Sequence, residues 1–340
     1  MVKIIAMGDE ITFSEKILSQ IIDRQERFFI NYSSAQLNEK EMTRHAQEIV
    51  AEYESYLSQN PRDENALILF GKFLRKVGQE EHAAEYFLEA DKINPKLAVV
   101  KQQLANFLIE KNRPVDAFPL LILTIQLNPQ EAVYHFQLGN FLFLFEKELV
   151  SEKIFTNLSA QSFMHRCFFE AKSLQPNNFD FQLRYAQSFF DYPDSNKSRA
   201  LIAWKQIENN FPDRTKTERD YFKLCQAKVL LELNRKEDAS ELIKTVSSTA
   251  LKQSKDSLLL KVHNREKANS PTQKTKKKKK SSFNWNHKNF IPSDPHLERL
   301  RKLTGRLIEE KMLSELRSDA IKASYDQSGQ IKLELTNLPK

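Results

Sequence analysis

The chain has 340 residues, a formal net charge of +7 and an apolar content of 40%, which is enough to build a folded core. Its six glycines are so widely spaced that neither G-x-G-x-x-G nor G-x-x-x-x-G-K-[ST], the two phosphate-binding loops, can be written. Cys167 and Cys225 stand alone, which argues against a zinc knuckle or a disulfide framework and predicts a reduced compartment.

Targeting and membrane signals are weak throughout the chain. The apolar run after Met1 is too short for a signal peptide, and the longest apolar run, Phe141 to Phe145, is far short of a membrane span. We therefore expect a soluble cytoplasmic protein.

Two helices are predicted before the first clear repeat. Thr12 and Glu15 have the spacing of a capping box, and residues 1–37 are predicted to hold an N-terminal capping helix. A second helix is predicted from near Asn38 to Gln59, where Pro61 stops it. Its apolar face is Met42, Ala46, Ile49, Val50, Tyr53, Tyr56 and Leu57.

Three prolines, Pro61, Pro95 and Pro129, lie 34 residues apart, and this spacing indicates a helix-turn-helix repeat. The pattern after Pro61 predicts one helix, a turn at Gly78 and a second helix that Pro95 ends. The residues that define the two helices are Leu67, Phe70, Gly71, Leu74, Ala83, Phe87 and Ala90. The next unit has Asn112 at its turn, and the fifth has Asn234.

This pattern resembles the tetratricopeptide repeat. The resemblance implies an all-α fold, a helical-repeat solenoid in which antiparallel helix pairs form a right-handed superhelix. About five repeats are predicted in residues 38–262. Gly71 and Ala83 would be small because two helices cross there at close range. Lys101 departs from the family pattern, which prefers an aromatic residue at that position.

The third unit is longer than the others, with an insertion at residues 146–164. Pro129 and Pro176 are 47 residues apart, which adds 13 residues to the repeat. The inserted apolar residues, Leu149, Ile154, Phe155 and Leu158, keep helical spacing, so we expect a lengthened helix or an extra helical turn that projects from the array rather than a disordered loop.

The C-terminal quarter has a different composition. Residues 261–290 carry a net charge of +9, and residues 263–293 are predicted to be a basic disordered linker. Residues 294–340 are predicted to form an amphipathic helix, capped by Asp294 and ending near Ser324, and a strand-like tail with Ile331, Leu333 and Leu335. The helix stripe is Leu297, Leu300, Leu303, Leu307, Met312, Leu313, Leu316 and Ile321.

Candidate chemistry is sparse. The seven histidines include no H-E-x-x-H motif and no pair with metal-ligand spacing, and no Ser, Cys or Thr lies in a recognisable nucleophile elbow. We expect no enzyme activity, no cofactor and no metal site.

The concave surface of the array is the predicted site. In the family that the chain resembles, the first helices of the repeats line this surface, which implies a protein interaction scaffold or adaptor that holds a peptide or helix. The predicted groove residues are Ile68, Leu69, Lys72, Gln102, Gln103, Asn106, Phe136, Gln137, Asn140, Phe143, Arg184 and Gln187.

A second reading assigns the linker a function of its own. Its lysines predict salt-dependent binding to a polyanion, which would make the chain a nucleic-acid- or ribosome-associated adaptor. The same lysines could instead contact an anionic membrane surface or serve as a nuclear import signal in a eukaryotic cell. A plain solvated linker is the alternative interpretation. The lysines are Lys274, Lys276, Lys277, Lys278, Lys279 and Lys280.

The apolar face of residues 297–321 needs a partner, because eight large side chains are costly to leave in water. Three occupants are open: the groove of the same chain, the same helix in a second molecule, or another protein. We favour docking within the chain, with dimerisation second, since the linker is long enough to let the helix return.

Overall fold

The computed structural model describes residues 12–33, 38–264, 321–325 and 331–335. In those ranges the chain folds into fourteen α-helices and two strands. The helices are α1 (Phe13–Ser33), α2 (Glu39–Gln59), α3 (Glu64–Lys76), α4 (Glu80–Ile93), α5 (Ala98–Glu110), α6 (Pro114–Leu127), α7 (Ala132–Leu144), α8 (Glu146–Ser151), α9 (Asn157–Leu174), α10 (Phe179–Asp191), α11 (Lys197–Asn210), α12 (Lys216–Glu232), α13 (Lys236–Lys244) and α14 (Lys252–Asn264). The strands are β1 (Ile321–Tyr325) and β2 (Ile331–Leu335).

Local sequence sets the ends of the first two helices as predicted. The backbone N–H of Glu15 donates to Thr12 Oγ1, and that of Thr12 donates back to Glu15 Oε2. Asn38 and Glu41 form the same reciprocal capping box at the start of α2. The two boxes satisfy N–H groups that have no acceptor inside their own helix.

Five helix pairs follow and confirm the predicted repeats: α3 with α4, α5 with α6, α7 with α9, α10 with α11, and α12 with α13. The helices divide into two compact units, with the boundary between Asn128 and Pro129. The first unit contains α1 to α6 and the second contains α7 to α14. The domain boundaries predicted from the sequence, at residues 37, 262 and 293, stay predictions.

Glycine allows the two helices of a pair to meet closely. A Cβ atom built on Gly71 of α3 would lie 2.7 Å from Cε1 of Phe87 on α4. Gly139 of α7 has the same relation to Phe168 on α9, also at 2.7 Å. Both distances are below van der Waals contact, so only glycine lets the phenylalanine ring approach the opposite backbone this closely. The predicted repeat register is therefore confirmed in both units.

The turns between paired helices use a left-handed backbone. Gly78, Asn112 and Asn234, the predicted turn residues, have φ angles of 82°, 57° and 61°. Glycine and asparagine are the residues that adopt this conformation most easily. The sequence therefore specifies where each of these helices stops.

The insertion is helical, as the spacing of its apolar residues predicts. It forms the short helix α8, a turn with Lys153 at a φ of 59°, and a long α9 of 18 residues. Leu149 and Phe155 are buried, but Leu158 is half exposed. The insertion therefore adds to the core of the second unit through two of its four apolar side chains.

The C-terminal segment differs from the prediction where the structure describes it. Ile321, expected near the end of the amphipathic helix, begins strand β1 instead. β1 pairs antiparallel with β2, with Ile321 opposite Leu335 and Tyr325 opposite Ile331. The alternation of Ile331, Leu333 and Leu335 correctly predicted β2. The prediction of a helix that continues to Ser324 is wrong, because the backbone of residues 321–325 is paired with β2. Residues 263–293, apart from the end of α14, and residues 294–320 lie outside the described ranges.

Candidate functional site

Three of the predicted groove residues of the first unit line a polar cleft of about 500 Å³. Leu69, Lys72 and Gln103 line it, together with Arg75, Lys76 and two glutamates. Burial and the nearby charge of Lys76 lower the pKa of Lys72. The cleft therefore gathers three of the six residues predicted from α3 and α5.

Two of those six residues do not present an open surface. Ile68 is only 7% exposed and Gln103 only 8%, so little of either side chain is open to solvent, although Gln103 lies at the cleft. Gln103 Oε1 also accepts a hydrogen bond of 2.8 Å from Arg75 Nη1. Arg75 in turn donates to Glu110 through Nη2, also at 2.8 Å. Gln102 and Asn106 are half-buried.

In the second unit, two predicted groove residues meet, because Arg184 of α10 lies against Phe143 of α7. The guanidinium carbon of Arg184 lies 4.5 Å from the centre of the Phe143 ring and 4.3 Å from that of Phe168. Its Nη1 donates to Asp191 Oδ2 at 2.7 Å, which fixes the orientation of the guanidinium plane. The side chains of α7 and α10 therefore form one continuous surface that combines a cation with an aromatic ring.

The open part of this surface is Phe143, which is 47% exposed. Phe136, which was expected to offer a second apolar pocket, instead packs against Phe168 and Phe181 at centroid distances of 5.8 and 4.8 Å. Phe136 is half-buried because its ring fills space between helices. Gln137, Asn140 and Gln187 are half-buried as well.

One buried polar atom on this surface has no partner among the described residues. Arg184 Nη2 is enclosed, yet neither a carbonyl nor a carboxylate accepts from it. A buried donor without an acceptor costs about 1–3 kcal/mol. An oxygen acceptor from a ligand would reach this atom only after the side chains that enclose it move.

A larger cleft was not predicted from the sequence. It lies among α1, α2, α3 and α4, has a volume of about 620 Å³, and is lined mainly by apolar and aromatic side chains. Met42, Ala46 and Val50, spaced four residues apart, form its α2 wall. They belong to the apolar face predicted for α2. The sequence therefore predicted that these residues face the core, but not that they remain partly exposed.

His165, which directly follows the insertion, has a structural role. His165 is buried, its ring stacks on Tyr185 at 5.1 Å, and Nδ1 lies 2.7 Å from Ser188 Oγ. The Ser188 hydroxyl donates to the Tyr185 carbonyl, so Nδ1 carries the proton and donates to Ser188. Burial, assisted by the charge of Arg199, lowers the pKa of His165 to about 3.

Some of the predicted site residues lie outside the described ranges. Lys274 and the lysines from Lys276 to Lys280 lie outside them, so polyanion binding stays a prediction. Within the described ranges, no cluster of three His, Cys, Asp or Glu side chains has the geometry to hold a metal ion. No helix in the same part of the chain is long and apolar enough to cross a membrane.

No protein-family model and no curated protein sequence matches the chain. Solved structures do. YrrB, a tetratricopeptide-repeat protein with an unusual peptide-binding site, matches 63% of this chain and 97% of its own, with 13% identity and a TM-score of 0.46. PilF of Pseudomonas aeruginosa matches 76% and 100%, with 14% identity and a TM-score of 0.46. MamA from Desulfovibrio magneticus RS-1 matches 62% and 99%, with 14% identity and a TM-score of 0.42.

The helix pairs are tetratricopeptide-like. Their own geometry carries this conclusion: paired helices, a glycine opposite a phenylalanine in two pairs, and a left-handed turn residue in three.

Proposed function

We propose that the protein is an interaction scaffold and that the surface formed by α7 and α10 binds an extended peptide or a helix of a partner protein. The observation that carries this proposal is the stack of Arg184 on Phe143. It combines an open aromatic ring with a hydrogen-bond donor that no described residue satisfies.

Phe143 supplies the apolar part of the recognition. Nearly half of its surface is exposed, and its neighbour Leu144 is 66% exposed. Burying an aromatic side chain completely contributes roughly 1.5–3 kcal/mol, so a partner side chain that covers Phe143 gains part of that amount. The ring is also held in place by Arg184, which reduces the entropy lost on binding.

Arg184 supplies the polar part. Its Nη1 is already bonded to Asp191, so the guanidinium cannot turn freely to satisfy Nη2. Nη2 is enclosed, so a partner reaches it only when neighbouring side chains move, and a main-chain carbonyl or a carboxylate next to an apolar side chain would then accept from it. Asn140, on the same helix as Phe143, adds an amide that is suited to pairing with a peptide backbone.

The test uses the full chain and a library of random peptides displayed on phage. Peptides enriched on the wild-type protein are synthesised, and their dissociation constants are measured for Phe143→Ser, Arg184→Met and the control Leu260→Ser. Leu260 is 61% exposed in the same unit but lies on α14, away from the proposed surface. We expect affinity to fall at least tenfold, about 1.4 kcal/mol, for the first two variants and to stay unchanged for the control.

Two results would count against the proposal. One is the absence of any enriched peptide. The other is a set of peptides that bind all three variants as well as they bind the wild-type protein, since these would use a different surface.

A further inference from the structure

The polar cleft of the first unit contains cations that its own carboxylates do not neutralise. Leu69, Lys72 and Lys76 line the cleft from α3, and because they recur at i, i+3 and i+7, their side chains share one face of that helix. Gln25 of α1 lines the same cleft. All of the lining residues belong to the first unit, so this cleft is separate from the surface of α7 and α10.

The two carboxylates of the cleft already have cationic partners. Glu110 Oε1 accepts a hydrogen bond from Arg75 Nη2 at 2.8 Å, and Glu80 Oε2 lies 3.5 Å from Lys111 Nζ. Arg75 is held on its other side as well, since its Nη1 donates to Gln103 Oε1. The acidic groups are therefore matched by Arg75 and by Lys111, a lysine that does not line the cleft.

The ammonium groups of Lys72 and Lys76 have no such partner. Neither forms an ion pair with a carboxylate among the described residues, and both side chains can be reached from solvent. Lys76 Nζ instead lies 4.4 Å from the centre of the Phe29 ring. Partial burial and the charge of Lys76 lower the pKa of Lys72, which shows that the two cations are near enough to repel each other. An anion bound to both would remove this repulsion.

We propose that Lys72 and Lys76 bind a phosphate group in this cleft, either free phosphate or the phosphate of a phosphorylated side chain. A phosphate monoester carries about −1.5 to −2 charge at pH 7 and three acceptor oxygens, so its charge matches two ammonium groups. A carboxylate, with one charge and two oxygens, matches only one. Residues four apart on a helix have Cβ atoms about 5–6 Å apart, which lets one phosphate contact both lysines.

The other lining residues fit a phosphate that is carried by a larger group. Tyr53 Oη donates to Gln25 Oε1 at 2.9 Å, so the amide nitrogen of Gln25 is the atom that can donate to a phosphate oxygen. Leu69 is half-buried and offers an apolar wall beside the two lysines. The cleft volume of about 500 Å³ is much larger than a phosphate group, which leaves room for the group that carries it.

Lysine acetylation followed by mass spectrometry tests the site in the full chain, because it reads each lysine separately. The protein is acetylated at one fixed ionic strength, alone and with phenyl phosphate, inorganic phosphate or benzoate. We expect phenyl phosphate to slow the acetylation of Lys72 and Lys76 at least threefold. Lys40, which is exposed on α2 outside the cleft, is the control and should react at an unchanged rate. Benzoate should protect the two lysines less, because it carries a single charge.

The two phosphates distinguish the sources of the ligand. Stronger protection by phenyl phosphate than by inorganic phosphate would support a phosphorylated side chain, and equal protection would support free phosphate. Three results would overturn the proposal: no protection of Lys72 and Lys76 by either phosphate, equal slowing at Lys40, and protection by benzoate that equals protection by phenyl phosphate.

A variant tests whether the two lysines act on the same phosphate. In Lys72→Met, the concentration of phenyl phosphate that half-protects Lys76 should rise at least tenfold, because one of the two ammonium groups is missing. Lys40→Met should leave that concentration unchanged. An unchanged concentration in Lys72→Met would show that the lysines do not share a ligand. The wild-type measurement stands by itself if this variant folds poorly.

Discussion

Lys101 Nζ lies 2.6 Å from Asp91 Oδ1 in the interior of the first unit, with the lysine side chain fully buried. Lys101 stands on α5 at a position where the family that the chain resembles prefers an aromatic residue, and Asp91 stands on α4. The pair therefore joins two successive repeats by a buried ion pair where aromatic packing is the usual solution. Such a pair adds little net stability compared with apolar packing.

Breaking this pair should be costly. Lys101→Met leaves the Asp91 carboxylate without the ammonium, and removing one partner of a buried pair typically destabilises by about 3–5 kcal/mol. The free energy of unfolding is measured by urea titration of the full chain. Replacing both residues, with Lys101→Met and Asp91→Leu, should recover most of the loss, because no charge then remains buried.

A neighbouring surface pair provides the control. Lys92 and Glu89 also form an ion pair, but both side chains are more than half exposed. Lys92→Met should change the free energy of unfolding by less than about 1 kcal/mol. Equal effects of Lys101→Met and Lys92→Met would show that the buried pair is not formed.

The glycine contacts predict overpacking. Gly71→Leu forces a side chain against the Phe87 ring, and Gly139→Leu does the same against Phe168, so each variant should lose about 1–3 kcal/mol or more of stability. Thermal unfolding followed by circular dichroism measures the effect. Gly71→Ala should be partly rescued by Phe87→Leu, which removes the ring that the new Cβ meets. If Phe87→Leu does not restore stability, the destabilisation by Gly71→Ala does not come from contact with the Phe87 ring.

His165 should make stability depend on pH. Its folded-state pKa is lowered to about 3, so the unfolded chain takes up the proton first as pH falls below the usual value near 6.5. Stability is therefore lost as the pH falls from about 6.5 towards 3, with a slope of up to about 1.4 kcal/mol per pH unit from this group. Urea titrations between pH 7 and pH 4 should show a shallower loss for His165→Phe. Identical slopes would mean that His165 is not buried in its neutral form.

The turn in the insertion is unfavourable for its residue. Lys153 has a φ of 59°, a conformation that costs a residue with a Cβ about 1–2 kcal/mol. Lys153→Gly should therefore raise the free energy of unfolding by about 0.5–1 kcal/mol. Lys147→Gly, in the exposed side of α8, should have the opposite sign, since glycine within a helix costs about 0.5–1 kcal/mol. If both variants changed the free energy of unfolding in the same direction, the left-handed backbone at Lys153 would be contradicted.

Features that depend on neighbouring residues were predictable. The capping boxes at Thr12 and Asn38, the turns at Gly78, Asn112 and Asn234, and the helical insertion all follow from short patterns, because each interaction joins residues within one or two helical turns. The opposition of Gly71 and Phe87 was also predictable, since the repeat fixes which positions of a helix pair meet. The predicted C-terminal helix extends too far, because Ile321 fits both a helical stripe and the alternation of β1.

The sequence by itself determined the repeat architecture of this protein, because the spacing of prolines, glycines and apolar residues encodes contacts within each helix pair. Only the tertiary structure decided which side chains are available to a partner. It buried Ile68 and Gln103, used Phe136 for packing, stacked Arg184 on Phe143, and left Met42 and Val50 partly open. These outcomes depend on how closely one helix pair approaches the next, and that distance is set by the summed packing of many side chains rather than by any local pattern.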